Sequence, residues 1–536
     1  MDKNLFLAVA LSILVYVGWF AYLNKKYPQA GQRPPAEAVK PQAQPSAVHE
    51  PQPSSGAENA LPPRAEPPGS RPPRLETYKF KYDGLTYEIQ PMGASIVSYK
   101  YPAPLGPVEL VHEPVPGFFA TWPELRFRQA EASKPVFEAE LSGVRIRKEF
   151  LFAEPGGMHS LRITLANPGS GPAELKKWGL DLGPGMGTVK SEQKENATLW
   201  AAAALLPPPA GRKAPVFENF KVSGAAASVE KPWRWLGVHN RYFLAAVFPP
   251  EADFSRAEHG ASLWKKERGF FGRESQIMSP WMRVEGAART LAPGETAVID
   301  IPFFFGPKGY TRLSSFNQGL ERSVSFGWFH PVGRFTLGVL EFFFSKTGNW
   351  GWSIILLTVV LQFILFPLTY KQMKSMAVMK RIQPEIQKVQ QKFAKDQRRM
   401  QMEMMELYKK HGANPLGGCL PMLVQLPVFV ALFNMLRNAW ELHGAPWMFW
   451  VKDLSAHDPF YVLPIVMGGI MFFQNKLNPP AATDPAQAKV FTYMPLIFTF
   501  MFLNFPSGLV LYWLTNSILS VAQQLALKDR LQGEIS

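Results

Sequence analysis

The polar side chains most out of place in this sequence lie inside its apolar runs. Thr358 and Gln362 interrupt the run 350–370, and Gln425 and Asn434 interrupt 418–440. Asn504 ends the run 491–505, while Trp513, Thr515, Asn516 and Ser517 sit within 507–527. Such groups can hydrogen bond. An unsatisfied amide in hydrocarbon costs several kcal/mol, so each needs a protein partner or water. Two readings stay open. The groups bond neighbouring helices, at about 0.6–2 kcal/mol per bond, or they line a wet groove. Thr358 and Gln362 are four residues apart and share a helix face. Convergence of that face with Gln425 and Asn516 would make a groove.

Residues for bond-making chemistry are harder to find. Nine histidines are scattered without metal-ligand spacing. There is no G-x-S-x-G nucleophile elbow, no phosphate-cradling loop and no RNA-binding signature. The carboxylate pairs of the central region are those of any solvated surface. Cys419 is the single cysteine, so no internal disulfide can form. The expectation is a protein that is not an enzyme and holds no metal ion or cofactor.

The elements that must position these groups follow from composition. The chain has 536 residues, a net charge of +15 and a mean hydropathy of −0.07. That mean is low for a membrane protein, but the apolar residues are clustered near the N-terminus and after residue 350. Residues 5–23 are long enough to span a bilayer. They end in Trp19, Phe20 and Tyr22 without a small-x-small cleavage site, which predicts an uncleaved anchor over 1–24 rather than a signal peptide. Residues 28–74 contain 13 prolines. Such a segment buries too little apolar area to offset its ordering entropy, so 25–74 reads as an extended tether.

Residues 75–320 read as an all-β sandwich. Tyr78, Phe80 and Tyr82 alternate with lysines, Asp83-Gly84 supplies a turn, and Leu85, Tyr87 and Ile89 alternate again. Val144 and Ile146, then Leu161, Ile163 and Leu165, repeat the pattern. The aromatic-rich segment 321–349, broken early by Pro331 and Gly333, predicts an amphipathic helix lying on the outer membrane surface.

Six spans are expected in all: the anchor and five later runs, two of them short at about 22 Å. Residues 371–411 carry 11 Lys or Arg and four Asp or Glu, which places this loop in the cytoplasm. Both termini then lie inside and residues 24–349 outside. The loop, bounded as 371–413, has helical periodicity. Met376, Met379, Ile382, Ile386, Val389 and Phe393 form one stripe, and Met400, Met404, Leu407 and Tyr408 a second. Pro384 is expected to bend or restart the first helix, and Ala394-Lys395-Asp396 to turn the hairpin. The stripes fit helix–helix packing, and methionine also suits adaptable apolar binding. Arg381, Arg398 and Arg399 give the hairpin a basic surface for ribosomal RNA or anionic lipids.

Several motifs then stand in order: Gly348-Asn-Trp-Gly-Trp352, Phe366-Pro-Leu-Thr369, Asn414-Pro-Leu-Gly-Gly418, Asp458-Pro-Phe-Tyr461 and Phe505-Pro-Ser-Gly-Leu509, with Gly306-Pro-Lys308 and Trp235–Phe248 before them. In these the chain resembles the YidC/Oxa/Alb family of membrane protein insertases, of the Gram-negative YidC type. The resemblance implies a bacterial inner-membrane protein: a polytopic α-helical protein with a five-helix insertase core over 350–530, a hydrophilic groove, and a large periplasmic β-supersandwich. It implies nascent membrane proteins, the ribosome and the Sec translocon as partners, and a monomer. In one place the chain departs from the family. The arginine usually found five residues before the second-span proline is here Gln362, before Pro367. Glutamine keeps hydrogen bonding but loses the charge. The alternatives are a channel or transporter, which would show broken helices or an internal repeat, and a tethered periplasmic carbohydrate-binding or enzymatic module.

Overall fold

The computed structural model describes residues 76–535 except 210, 212, 213, 221, 223, 269–273, 394, 395, 413–419 and 478–484. The anchor 1–24, the tether 25–74 and the hairpin turn at 394–395 therefore lie outside the described residues.

The first half is β-structure, as the alternation predicts. Tyr78–Tyr82 and Leu85–Gln90 pair as a hairpin in the register Tyr82↔Leu85. Its turn needs positive φ at both central residues, and Asp83 (45°) and Gly84 (81°) supply it. Three sheets of four, five and nine strands carry most of the region. The nine-stranded sheet runs in the order 216–220, 201–206, 235–239, 243–247, 296–307, 158–166, 144–151, 136–141 and 128–129.

This large sheet is buried on both faces over its central strands. Trp235–His239 and Phe243–Val247 are buried at every residue. Leu236, Val238, Phe243, Ala245 and Val247 enter the core of the β region. Trp235, Leu244 and Ala246 instead join a second core with Leu313, Leu320, Phe326, Leu337 and Leu340. Consecutive phenylalanines divide the same way, with Phe303 and Phe305 in the first core and Phe304 in the second. A strand covered on both faces reads as a continuous apolar run, which is what Phe243-Leu-Ala-Ala-Val247 is.

The helices stand on the second face. Two short 3₁₀ turns, Leu320–Ser323 and Gly327–Phe329, precede α1 (His330–Thr347). The long α2 (Trp350–Lys392) and α3 (Gln397–Lys410) follow. Then come α4 (Leu420–Asn438), α5 (Val462–Leu477), α6 (Pro485–Phe502) and α7 (Ser507–Ile535). Of the two expectations for Pro384, a restart does not occur: α2 is continuous through both Pro367 and Pro384. The expected amphipathic helix exists but starts nine residues later than 321. It buries Gly333, Thr336, Leu337 and Leu340 and leaves Phe335 and Phe342 exposed.

The described residues do not establish the count of six spans, since the expected anchor lies outside them. Among them one helix, α2, is long and apolar enough to cross a membrane, while Val462–Leu477 and Thr492–Phe502 are shorter apolar helices. The 16 residues of α5 rise only about 24 Å. Large apolar side chains nonetheless face outward on three helices: Phe363 and Ile364 on α2, Ile465 and Phe472 on α5, and Leu496, Ile497 and Phe500 on α6 are all at least half exposed.

The motifs act as caps and ties. The Asn349 Oδ1 accepts from the Gly351 and Trp352 N–H groups at the start of α2, and its Nδ2 donates to the Pro446 and Trp447 carbonyls. The buried Asp458 carboxylate accepts from Leu463 N (2.7 Å) and Phe460 N (3.0 Å) at the start of α5, and from Trp450 Nε1 (3.0 Å). Ser507 donates through both N and Oγ to the Ala456 carbonyl, which holds the tight turn before α7. At the junction of sheet and helices, Lys308 Nζ donates to Ser323 O at 3.0 Å, Tyr242 Oη to Arg437 O at 3.2 Å, and Asn438 Nδ2 to Ser325 O at 2.9 Å.

Candidate functional site

The alternating polar interruptions of α2 and α7 place their groups at different depths. Near the start of α2 and α7, Thr358 donates to its own helix at Ile354 O (2.7 Å) and Thr515 to Leu511 O (2.8 Å). Both are buried among apolar neighbours. Asn434 likewise donates to Val430 O at 2.9 Å. These three groups are satisfied within single helices. Trp513 packs edge-on against Phe429 (4.9 Å between centroids) and at a tilt against Phe502 (5.4 Å). Asn516 is half-buried on α7. The side chain of Gln425 lies outside the described residues.

Gln362 is different. Its Nε2 donates across to α7, to Gln523 Oε1 at 2.9 Å and towards Ser520 Oγ at 3.4 Å. Ser520 also lines a cavity of about 290 Å³ at the end of the core nearest the hairpin. The cavity is walled by Thr369, Gln372, Met373 and Met376 of α2, Met471, Gln474 and Asn475 of α5, Met494 and Pro495 of α6, and Ser520 and Gln524 of α7. None of these side chains is ionisable. The Gln524 Oε1 is buried without a hydrogen-bond partner. The helices around the cavity are tightly held. A Cβ at Gly468 of α5 would overlap Thr499 of α6.

Of the candidates named from the sequence, the structure brings Gln362 to the edge of this cavity and Met376 into its wall. It does not bring Thr358, Asn434, Trp513 or Thr515 there. Most of the polar lining was missed: Thr369, Gln372, Gln474, Asn475, Ser520 and Gln524, and so was Gln523, the partner of Gln362. These lie at the ends of apolar runs, where polar residues are unremarkable one at a time. The available signal was the spacing Asn516, Ser520, Gln523, which repeats one helix face of α7.

The hairpin adjoins the cavity through α2. Ile382, Ile386 and Tyr408 are buried together, with Val378, Met379, Met404 and Leu407 around them. Met379 thus belongs to the packing between α2 and α3. Met402 and Met405 face outward, as do Arg381, Arg398 and Arg399. Asp396 caps α3 by accepting from Arg399 N at 3.0 Å. Among the described residues there is no cluster of three or more His, Cys, Asp or Glu that could hold a metal ion.

Comparison with known proteins decides the family. Residues 125–336 match the family described as YidC periplasmic domain, and residues 342–534 match the 60Kd inner membrane protein family. The membrane protein insertase YidC of Endomicrobium trichonymphae is 37% identical over 434 residues, covering 78% of each chain. That of Oleidesulfovibrio alaskensis is 32% identical over 559 residues, covering 98% of each. The chain belongs to the YidC family of membrane protein insertases. A solved structure, the active YidC insertase with its first transmembrane domain resolved, is 17% identical, covers 84% of this chain and 94% of that one, and has a TM-score of 0.39. The first match ends and the second begins within α1, at residues 336 and 342. The β region is therefore the periplasmic domain, and α1–α7 carry the insertase core of an inner-membrane protein. The activity is membrane insertion, the family is not one of enzymes, and nascent membrane proteins are its substrates.

Proposed function

We propose that this chain inserts nascent transmembrane segments by offering the cavity beneath α2, α5, α6 and α7 as a wet station between cytoplasm and lipid. The observation that carries the reading is the neutral, amide-lined cavity itself, ringed by helices whose outward faces are apolar. A polar flank crossing bare hydrocarbon loses every hydrogen bond. In the cavity it exchanges water for Gln, Asn, Ser and Thr partners. The following apolar segment then leaves sideways, driven by apolar burial worth about 25 cal/mol per Å².

Around that station the remaining parts take the following roles. The hairpin faces the cytoplasm and receives the segment, supported by its exposed Met402 and Met405 and its basic charge. Both termini are cytoplasmic and six spans are present, the two short helices sitting in a thinned bilayer. α1 lies on the outer membrane surface, supported by its exposed Phe335 and Phe342 and by Trp328 in the turn before it. The ribosome, the Sec translocon and anionic lipids are partners of a monomer. The domains divide as an anchor over 1–24, a tether over 25–74, a β domain over 75–320, an interfacial segment over 321–349 and a core over 350–530.

Photocrosslinking tests the station. A photoreactive residue at Gln372, Gln524 or Gln362 should capture a ribosome-bound nascent segment, and one at exposed Leu496 should capture it later. Crosslinks at Leu496 alone would remove the cavity from the route.

A further inference from the structure

The cavity wall carries a chemical bias that goes further than wetness. Its polar members are four carboxamides, Gln372, Gln474, Asn475 and Gln524, with the hydroxyls of Thr369 and Ser520. Gln362 and Gln523 stand beside them, bonded to each other. Every one of these groups is neutral. A carboxamide both donates and accepts, so each of the four can meet a polar guest with either kind of bond.

Two kinds of guest are treated differently by such a wall. A hydroxyl, carboxamide or peptide group trades bonds to water for bonds to amides at little net cost. A carboxylate or ammonium group leaves water and finds no opposite charge, and a charge taken out of water without a counter-charge is penalised heavily. The four methionines, Met373, Met376, Met471 and Met494, complete the wall. Their flexible thioethers fit varied apolar side chains without selecting among them. At about 30 Å³ per water, the volume admits about ten waters, or the side chains of a short flank.

We infer that the cavity selects clients by the charge of the flank that crosses first: it favours flanks rich in Ser, Thr, Asn, Gln and Gly and disfavours both acidic and basic ones. This rests on the insertion role proposed above. The basic hairpin outside argues for the opposite order at the encounter step, with acidic flanks attracted. The lining governs the crossing step, and the two are separable by rate.

The test uses the full-length protein in phosphatidylcholine vesicles without a membrane potential. Three single-span clients share one apolar segment. Their leading flanks are Ser/Gln/Gly, the same with two Asp, and the same with two Lys. The readout is the acceleration over protein-free vesicles, which removes the lipid's own preference. The neutral client should be accelerated about tenfold more than either charged one, a difference of about 1.4 kcal/mol. Gln524→Arg should raise the acidic client and lower the basic one, and Gln524→Glu should do the reverse. Equal acceleration of all three by the wild type, or a preference for the acidic client, overturns the inference and leaves insertion standing. No acceleration of any client, with no crosslink from position 524, overturns the insertion role and this inference with it.

Discussion

Replacing Gln362 with Leu separates a wet groove from a dry clasp. The change keeps the side chain's bulk and removes its donor, so Gln523 Oε1 and Ser520 Oγ lose the N–H at 2.9 and 3.4 Å. Gln362 is only 7% exposed. If its partners were sealed from water, each stranded acceptor would cost about 1–3 kcal/mol, and the core would lose several kcal/mol in all. If water from the adjoining cavity reaches them, it replaces the lost donor. The loss then falls to the net worth of one interhelical bond, about 0.6 kcal/mol. Ser520 belongs to the cavity wall, which selects the second figure: a stability loss below about 1 kcal/mol. Insertion should slow by about fivefold, the equivalent of one neutral hydrogen bond of about 1 kcal/mol to the crossing flank. Stability is measured by denaturant unfolding in nanodiscs, and insertion in proteoliposomes at matched folded protein. A loss of 3 kcal/mol or more with an unchanged rate per folded molecule would refute the reasoning and make Gln362 a purely structural bond. A double-mutant cycle with Gln523→Leu reports the coupling directly.

Ile386→Ala, at the buried centre of the hairpin, should cost about 2–4 kcal/mol of local stability; proteolysis of α3 should quicken while the core's unfolding midpoint stays in place. Replacing residues 384–411 with a short linker should abolish insertion and leave that midpoint unchanged, and a client inserted at the normal rate would remove the hairpin as receiver. Glu441 stands at the junction of sheet and helices, where burial pushes its carboxyl up to about 7 and the nearby Glu341 carboxylate adds to the push. The native state therefore holds this proton while the unfolded chain has released it, so stability should fall by about 3 kcal/mol as pH rises from about 4.5 to 7. Glu441→Gln should flatten that window in a pH series of melting curves, and an unchanged slope would contradict the assignment. Deleting most of residues 28–74 should leave complementation of a depletion strain intact, and loss of viability with stable, membrane-embedded protein would count against a passive tether.

The legible parts of the fold were the ones written locally. Asp83-Gly84 between alternating runs specifies its hairpin without help from elsewhere. The stripe of Ile382, Ile386, Met404 and Tyr408 gives the packing of α2 on α3 because helical spacing fixes the face. Pro384 does not restart the helix, because a proline inside a long helix loses one bond that the rest of the helix can outweigh. The second covered face of the large sheet was hidden, since a run such as Phe243–Val247 names burial and not what buries it. For the cavity, the sequence marked Gln362 and could not name its partners. Gln523 lies 161 residues away, and no local pattern links the two. Thr358, Asn434 and Thr515 misled for a related reason: a hydroxyl or amide in a helix can be satisfied by the carbonyl four residues back.

The sheet that shares Phe303, Phe304 and Phe305 between two cores has a consequence for how the molecule is made. Synthesis runs from the N-terminus, and the strands carrying Leu205, Trp235, Leu244 and Phe304 are complete before α2 emerges. Until the helices arrive, this face is a bare greasy plate on the far side of the membrane. The later helices thus dock onto a face whose strands precede them in the chain, and the C-terminal end of α4 is tied down where Arg437 O accepts from Tyr242 Oη and Asn438 Nδ2 donates to Ser325 O.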